Sequence, residues 1–215
     1  MVIQTVCSVN HLFKVSVLIC SIQRYHPDIE FSVLVTDIDS EEKNNVASRF
    51  NGNVKIICCN DINIDFINHM RSYYDILDFN VAAKALAFYY QLVQKNKPAC
   101  LYLDSDIYAL NDLNDFVSKL KHDVVLTPHT YSCYPKDNIS PGEMQLINLG
   151  FINGGIIYIK NTEASINILN WLLDYSKYAW FVAPGAGMFN DQHWLDCLPY
   201  FFNDHVHIIK DYSVN

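Results

Sequence analysis

Seven short apolar runs rich in β-branched residues punctuate the chain, at Val2 to Val6, Phe31 to Thr36, Val54 to Cys59, Ala99 to Leu103, Asp123 to Thr127, Gly155 to Ile159 and Val206 to Ile209. Between several of them lie stretches with helical spacing: His11 to Tyr25, Ser40 to Phe50, Val81 to Lys95, Thr162 to Tyr175 and Asp191 to Leu198. A strand of nearly unbroken apolar residues is one buried on both faces. The alternation therefore predicts an α/β fold, a mostly parallel central sheet with helices on both faces. Asp39-Ser40-Glu41-Glu42 marks a helix start and Asn51-Gly52 its end, and Lys95-Asn96-Lys97-Pro98 closes the helix that begins near Val81. From His129 to Leu149 the turn residues Pro135, Asp137, Asn138, Pro141 and Gly142 break any period, so a long loop is expected there.

Size and charge narrow the function classes. With 215 residues, 51% of them hydrophobic, and no repeat or linker, the sequence reads as one globular domain over 1–215. No apolar run approaches the roughly 18 residues that a membrane-spanning helix needs. The first residues lack a basic region and a cleavage site, so they read as a strand and not a signal peptide, and a cytoplasmic protein is expected. The seven cysteines form an odd set with no Cys-x-x-Cys pair, in keeping with reduced, mostly buried thiols. A formal charge of -8 with no basic run opposes nucleic acid as a partner. A small anionic substrate is still allowed, because a bound cation can invert the local field.

Three segments carry chemistry. The run Ala99 to Leu103 leads directly into Asp104-Ser105-Asp106. In an extended backbone Asp104 and Asp106 share a face, and two adjacent carboxylates repel unless a cation or a proton lies between them. Two hard oxygen ligands at the end of a buried strand suit a divalent metal and a phosphorylated substrate. The competing reading is a strand that ends in solvated acids. Asn153-Gly154-Gly155, just before another strand, allows backbone to approach a ligand closely, although Asn-Gly is also an ordinary turn. Asp191-Gln192 opens a helix, where Asp191 is either a sugar-facing acid or an N-terminal cap.

Taken in order, these segments resemble the retaining glycosyltransferases of the GT-A fold, and in particular the glycogenin and bacterial galactosyltransferase-like family 8. The matching pieces are Val6-Cys7-Ser8-Val9-Asn10, Ser21 with His26-Pro27-Asp28, Tyr102 to Asp106, Phe151 to Gly155, and Asp191-Gln192. The resemblance implies a GT-A, Rossmann-like nucleotide-diphospho-sugar transferase fold. It implies an enzyme that moves a hexose, with retention, from a nucleotide-sugar, with UDP-hexose expected, to a glycan, lipid-linked or protein acceptor. Asp104 and Asp106 would bind Mn²⁺ or Mg²⁺ at the diphosphate. Val6, Ser8 and Asn10 would surround uracil and ribose, with Lys84, Ser105 and Gly154 also on the donor. Asn153, Asp191 and Gln192 would contact the transferred sugar as the catalytic set. For Lys84 the competing reading is an exposed helix lysine.

The chain also departs from the family pattern. Ser8 stands where many relatives carry an acid beside the base. The histidine that resemblance would supply as third metal ligand, in a segment closing over the diphosphate, is missing before the sequence stops at Asp211-Tyr212-Ser213-Val214-Asn215. His205 and His207 could chelate a metal as an i, i+2 pair, but packing is the commoner role of such a pair. His129 reads as a loop residue that could line the acceptor side. The alternatives are a degenerate, non-catalytic module that binds a nucleotide-sugar or a partner, and a sugar-nucleotide pyrophosphorylase. The second is disfavoured because Cys7 to Lys14 lacks the glycine-rich basic loop that a triphosphate requires. Peripheral membrane association is compatible with the sequence.

Overall fold

All seven apolar runs form strands of one sheet, the inner ones buried on both faces and the two at its edges, from Val54 and from Val206, partly exposed. The computed structural model describes residues 1–137, 139 and 142–214; Asn138 and Pro141, two of the expected turn residues, lie outside them. The strands are β1 (Val2–Cys7), β2 (Phe31–Val35), β3 (Val54–Cys58), β4 (Ala99–Leu103), β5 (Val124–Pro128) and β6 (Ile152–Lys160). They continue with β7 (Val182–Ala183) and β8 (Met188–Phe189), which form a separate two-stranded ribbon, and β9 (Val206–Ile208). The main sheet has the order β3-β2-β1-β4-β6-β5-β9. Its pairs are parallel except those that β6 makes with β4 and β5.

That single reversal positions the site. β1, β2, β4 and β5 end at one edge of the sheet, the edge where open α/β folds bind ligands. Since β6 runs the other way, its first residues, Ile152 and Asn153, start at that same edge. The β5–β6 register passes from Leu126↔Ile157 to Thr127↔Asn153, so residues 154–156 bulge out of the ladder. A bulge bends its strand and re-aims the side chains around it.

The helices are α1 (Leu12–Gln23), α2 (Glu42–Ala47), α3 (Ile67–Tyr73), α4 (Ile76–Tyr89), α5 (Asn114–Lys119), α6 (Glu143–Leu149), α7 (Glu163–Ser176) and α8 (Gln192–Phe201). Residues of α3, α4, α7 and α8 pack with one face of the sheet, around Leu86, Tyr102 and Leu169. Residues of α1, α2 and α5 pack with the other, around Leu18, Leu101 and Phe116. None of the helices described is long and apolar enough to cross a membrane.

Three differences from the sequence expectation have physical causes. α4 begins at Ile76, capped by Asp75, whose side chain accepts from the Asp78 backbone N–H at 2.8 Å. Ile76 and Leu77 are exposed and fall outside the apolar stripe, so the periodicity picks up only at Val81. The segment expected as a loop contains α6, of which only Leu146 is buried while Met144 and Ile147 face solvent; a helix with so little buried face has no legible period. α3 and α5 are likewise too short to show one. The cysteines are unbonded, with Cys7, Cys58, Cys59 and Cys100 buried and Cys20 and Cys133 exposed. Burial, together with the nearby Asp37 carboxylate, pushes the Cys7 thiol up to about 12.

Tyr74 ties the end of α7 to this scaffold. Its hydroxyl donates to the Ser176 carbonyl at 2.9 Å and accepts from the Trp180 backbone N–H at 2.9 Å. Replacing Tyr74 by Phe strands a buried N–H, and we expect a loss of about 1–3 kcal/mol in unfolding free energy, measured by urea titration of Tyr74→Phe against wild type.

Candidate active site

The lip of the sheet is organised by one buried ammonium. Lys84, from the middle of α4, is only 7% exposed. Its Nζ donates to the Gly154 carbonyl at 2.9 Å and to Asp191 Oδ2 at 3.1 Å, and lies 3.4 Å from Asp104 Oδ1. It also sits over the Tyr102 ring, 5.1 Å from the centroid. Burial pulls the lysine pKa down, yet the carboxylates of Asp104 and Asp191 together outweigh it and hold the ammonium above its ordinary 10.5. The exposed-lysine reading is thus corrected: apolar neighbours on α4 carry Lys84 inward, where two acids accept it.

Asp191 is buried and its side chain makes no cap to α8, so the capping reading is corrected as well. Its backbone is already helical, which turns the carboxylate away from the free N–H groups of the first turn and toward Lys84. Asp104 follows β4. Its backbone N–H donates to the Gly155 carbonyl at 2.8 Å, and its Oδ1 accepts from the Tyr102 hydroxyl at 2.7 Å. Burial first, and the Asp104 charge second, raise the Tyr102 pKa well above 10.

The two glycines are explained by close approach. A Cβ on Gly154 would lie 2.5 Å from Asp191 Oδ2, and one on Gly155 would lie 2.9 Å from both Asp104 Oδ2 and Asn153 Oδ1. Any side chain there would displace a carboxylate. Asn153 itself accepts from the Gly155 N–H at 2.8 Å, a local turn that fixes its amide at the lip.

Asp104 and Asp106 line one open cleft, together with Asn153 and Gly155. Asp106 is paired with Lys14 of α1 at 3.4 Å, both side chains being partly exposed. The two acids therefore meet lysines from helices on opposite faces of the sheet. Three carboxylates, of Asp104, Asp106 and Asp191, against two ammonium groups leave one unbalanced negative charge at the lip. Among the described residues no group of three or more His, Cys, Asp or Glu side chains is arranged to hold a metal ion. His205 and His207 are occupied elsewhere: His205 Nδ1 lies 2.7 Å from Asp123 Oδ2, and His207 stacks on His122 at 4.3 Å. They stand at the start of β9, beside the start of β5, and so at the sheet edge opposite Asp104.

Around the end of β1, Ser8 is buried and donates to Asn10 Oδ1 at 2.5 Å. Asn80 of α4 reaches Ser8 Oγ at 3.5 Å, Thr36 Oγ1 hydrogen-bonds Asn80 Oδ1, and the Val9 N–H donates to Asp37 Oδ1 at 2.8 Å. The Val6 side chain packs in the core on the α4 side. Ser105 is half-buried between the two acids. Gln192 Oε1 lies 3.3 Å from His129 Nε2 at the end of β5. Asp196, one turn further along α8, accepts from the Phe151 N–H at 3.0 Å and the Ile152 N–H at 2.8 Å. Burial raises its pKa, and those two N–H groups offset this in part. Sequence reasoning missed Lys14, Thr36, Asp37, Asn80 and Asp196, though the i, i+4 spacing of Gln192 and Asp196 on one helix face was a signal for the last.

The fold is shared with glycosyltransferases of known structure. GlyE of Streptococcus pneumoniae TIGR4 superposes with a TM-score of 0.58 at 18% identity, over 98% of this chain and 46% of GlyE. The galactosyltransferase LgtC, solved with donor and acceptor sugar analogues, superposes with a TM-score of 0.55 at 19% identity, over 98% of this chain and 73% of LgtC. Mouse xyloside xylosyltransferase 1 gives 0.53 at 11% identity, over 97% and 84%. A further LgtC structure is of an active-site variant in which a glutamine is replaced by glutamate. No family model matches the sequence, and no curated protein matches it. The chain spans less than half the length of GlyE. Its architecture is the GT-A fold.

Replacing Lys84 by Met should leave the buried Asp191 carboxylate unpaired and cost about 3–5 kcal/mol in unfolding free energy at pH 7, read from guanidinium titration. The pH dependence has a definite sign. A folded-state pKa held above 10.5 means that the stabilisation is whole below 10.5 and is lost as pH rises through the higher folded value. Wild type should therefore lose stability steeply above 10.5, and Lys84→Met should show a shallower alkaline loss in the same titration.

Proposed function

We propose that this chain is a metal-dependent glycosyltransferase that moves a hexose from a nucleotide-sugar, UDP-hexose in the first instance, to an acceptor hydroxyl with retention of anomeric configuration. The observation that carries the reading is convergence. Asn10, Asp104 and Asp106 follow strands, and Asn153 lies at the start of one, at the same edge of a GT-A sheet, where Lys84 contacts Asp104 and Asp191 although each is far from it in sequence or on another element. A shared fold alone hosts many functions, so the argument rests on this site.

Asp104 and Asp106 offer two hard oxygen ligands on one cleft beside an unbalanced negative charge. Asp104 and Asp106 would hold Mn²⁺ or Mg²⁺ there, because hard carboxylate oxygens suit either ion. When bound, the ion supplies Lewis-acid stabilisation of the departing nucleoside diphosphate. Ser8 and Asn10, backed by Asn80 and Asp37, bind the nucleoside. Lys84 holds Asp104 and Asp191 in place from behind, and Gly154 leaves Asp191 room at the sugar. Asn153, Asp191 and Gln192 position the hexose, with the Gln192 amide dipole set by His129 to meet the charge that develops at the anomeric carbon. In the transfer, the bond from the anomeric carbon to diphosphate breaks and the bond to the acceptor oxygen forms. The acceptor's proton passes to the departing diphosphate on the same face. LgtC, whose structure holds donor and acceptor sugar analogues and whose active site includes a glutamine, supports the parallel with Gln192.

A second reading, a binding module without turnover, is favoured by the lysines that already pair with both acids. Titrating UDP with and without Mn²⁺, alongside an assay of UDP-hexose hydrolysis, separates the two. Metal-dependent binding with turnover supports the transferase, binding without turnover supports the module, and no binding removes both. Asp104→Ala and Asp106→Ala are each expected to abolish Mn²⁺-dependent UDP binding in calorimetry while the circular dichroism spectrum stays that of wild type; wild-type affinity in either would remove the metal assignment.

A further inference from the structure

On the sheet face opposite Lys84, a cavity of about 750 Å³ runs from the two acids inward. Its volume is in the range that holds a small organic molecule. Leu101, Leu103 and Phe116 line its inner part, and the loop from Ile107 to Leu113 forms its outer wall. That wall is fixed from α1 and the turn after it. Ser21 Oγ accepts from the Ala109 N–H at 3.0 Å, His26 Nε2 accepts from the Leu113 N–H at 2.8 Å, and the Tyr25 hydroxyl donates to the Leu110 carbonyl at 2.7 Å. The opening carries Leu110, 77% exposed, and Tyr212, 79% exposed.

Two further features say what fits. The cavity is continuous with Asp104, Asp106, Asn153 and Gly155, so a molecule seated in it reaches the lip of the sheet. Its polar lining includes the carboxylates of Asp104, Asp106, Asp112 and Asp115, and among the described residues no lysine or arginine lines it, although Lys84, Lys14 and Lys119 pair with Asp104, Asp106 and Asp115 from outside the lining. Counted with Asp191 and Asp211, which share Lys84 and Lys119, six carboxylates face three ammonium groups, and this net negative charge disfavours an anionic occupant. A neutral one with an apolar body would cover exposed Leu110 and lie along Leu103 and Phe116.

We propose that this cavity is the acceptor site and that the acceptor is an uncharged glycoside with an apolar aglycone. Its sugar hydroxyl stands at Asp104 and Asn153, and its aglycone lies along the inner apolar wall, with the Tyr212 ring closing the outer end. This assignment rests on the transferase reading. The excess of carboxylates disfavours phosphate-bearing lipid carriers in this cavity.

The test is calorimetry on the full chain with octyl β-glucoside, methyl β-glucoside and octyl phosphate, each below its micelle-forming concentration, with UDP plus Mn²⁺ titrated in parallel to report the donor site separately. A buried methylene is worth about fourfold in affinity, so octyl β-glucoside should bind at least about tenfold tighter than methyl β-glucoside. Octyl phosphate should bind no better than methyl β-glucoside. In Leu110→Ser combined with Tyr212→Ser, both exposed positions and so compatible with folding, the octyl advantage should fall to about twofold or less. Equal binding of the two glucosides, octyl phosphate binding as tightly as octyl β-glucoside, or an octyl advantage that survives in the double variant overturns the proposal. Expected glucoside binding without UDP binding overturns the donor-site reading and the acceptor role, and leaves only an apolar glycoside site.

Discussion

The ammonium of Lys84 is the contact on which the rest of the lip depends. It joins four separate pieces of chain: α4, which carries it; β4, through Asp104; β6, through the Gly154 carbonyl; and the residue before α8, through Asp191. Two carboxylates this near each other would repel, and burial would penalise each further. A central cation turns that repulsion into attraction, and the geometry of the acids follows from it. The ion pairs hold shape more than they add stability, since a buried pair gains little over an apolar substitute while a broken one costs several kcal/mol.

Around this contact the backbone is trimmed to fit. Gly154 and Gly155 are adjacent on a strand and face opposite sides, one toward Asp191 and the other toward Asp104 and Asn153. The bulge at residues 154–156 lets both approach their carboxylates without distorting the ladder that continues from Ile157. Asp196 pins the start of the same strand to α8, so Gln192, one turn earlier, shares its rigidity. The end of β1, the two acids and the residues Asn153, Asp191 and Gln192 are thus held at elements packed against the central sheet.

Much of this was legible because burial leaves a strong imprint on composition. Strands buried on both sides show as apolar runs, and each of the seven is a strand within one or two residues at its start, save β6, which begins three residues before its apolar run. Asp104, Asn153 and Asp191 were legible because polar residues beside apolar runs mark the ends of strands and helices. Lys84 was ambiguous, since a lysine inside a helix looks the same whether it faces water or two acids. The contact between His129 and Gln192 left no signal, because the two are distant in sequence. The antiparallel course of β6 left no local signal, for an apolar strand reads alike in either direction. α6 was invisible because its apolar residues mostly face outward.

The reversed strand also governs where the sequence can drift. A strand's side chains alternate faces, so deleting or inserting one residue between Ile152 and Ile157 would move one glycine onto the other's position and put a side chain where the second had been, against Asp104 or Asp191. The excursion from residue 129 to α6, none of whose described residues is buried, has no comparable constraint. Divergence among chains of this design should therefore collect as length changes before α6, while β6 keeps its residue count even as its amino acids turn over.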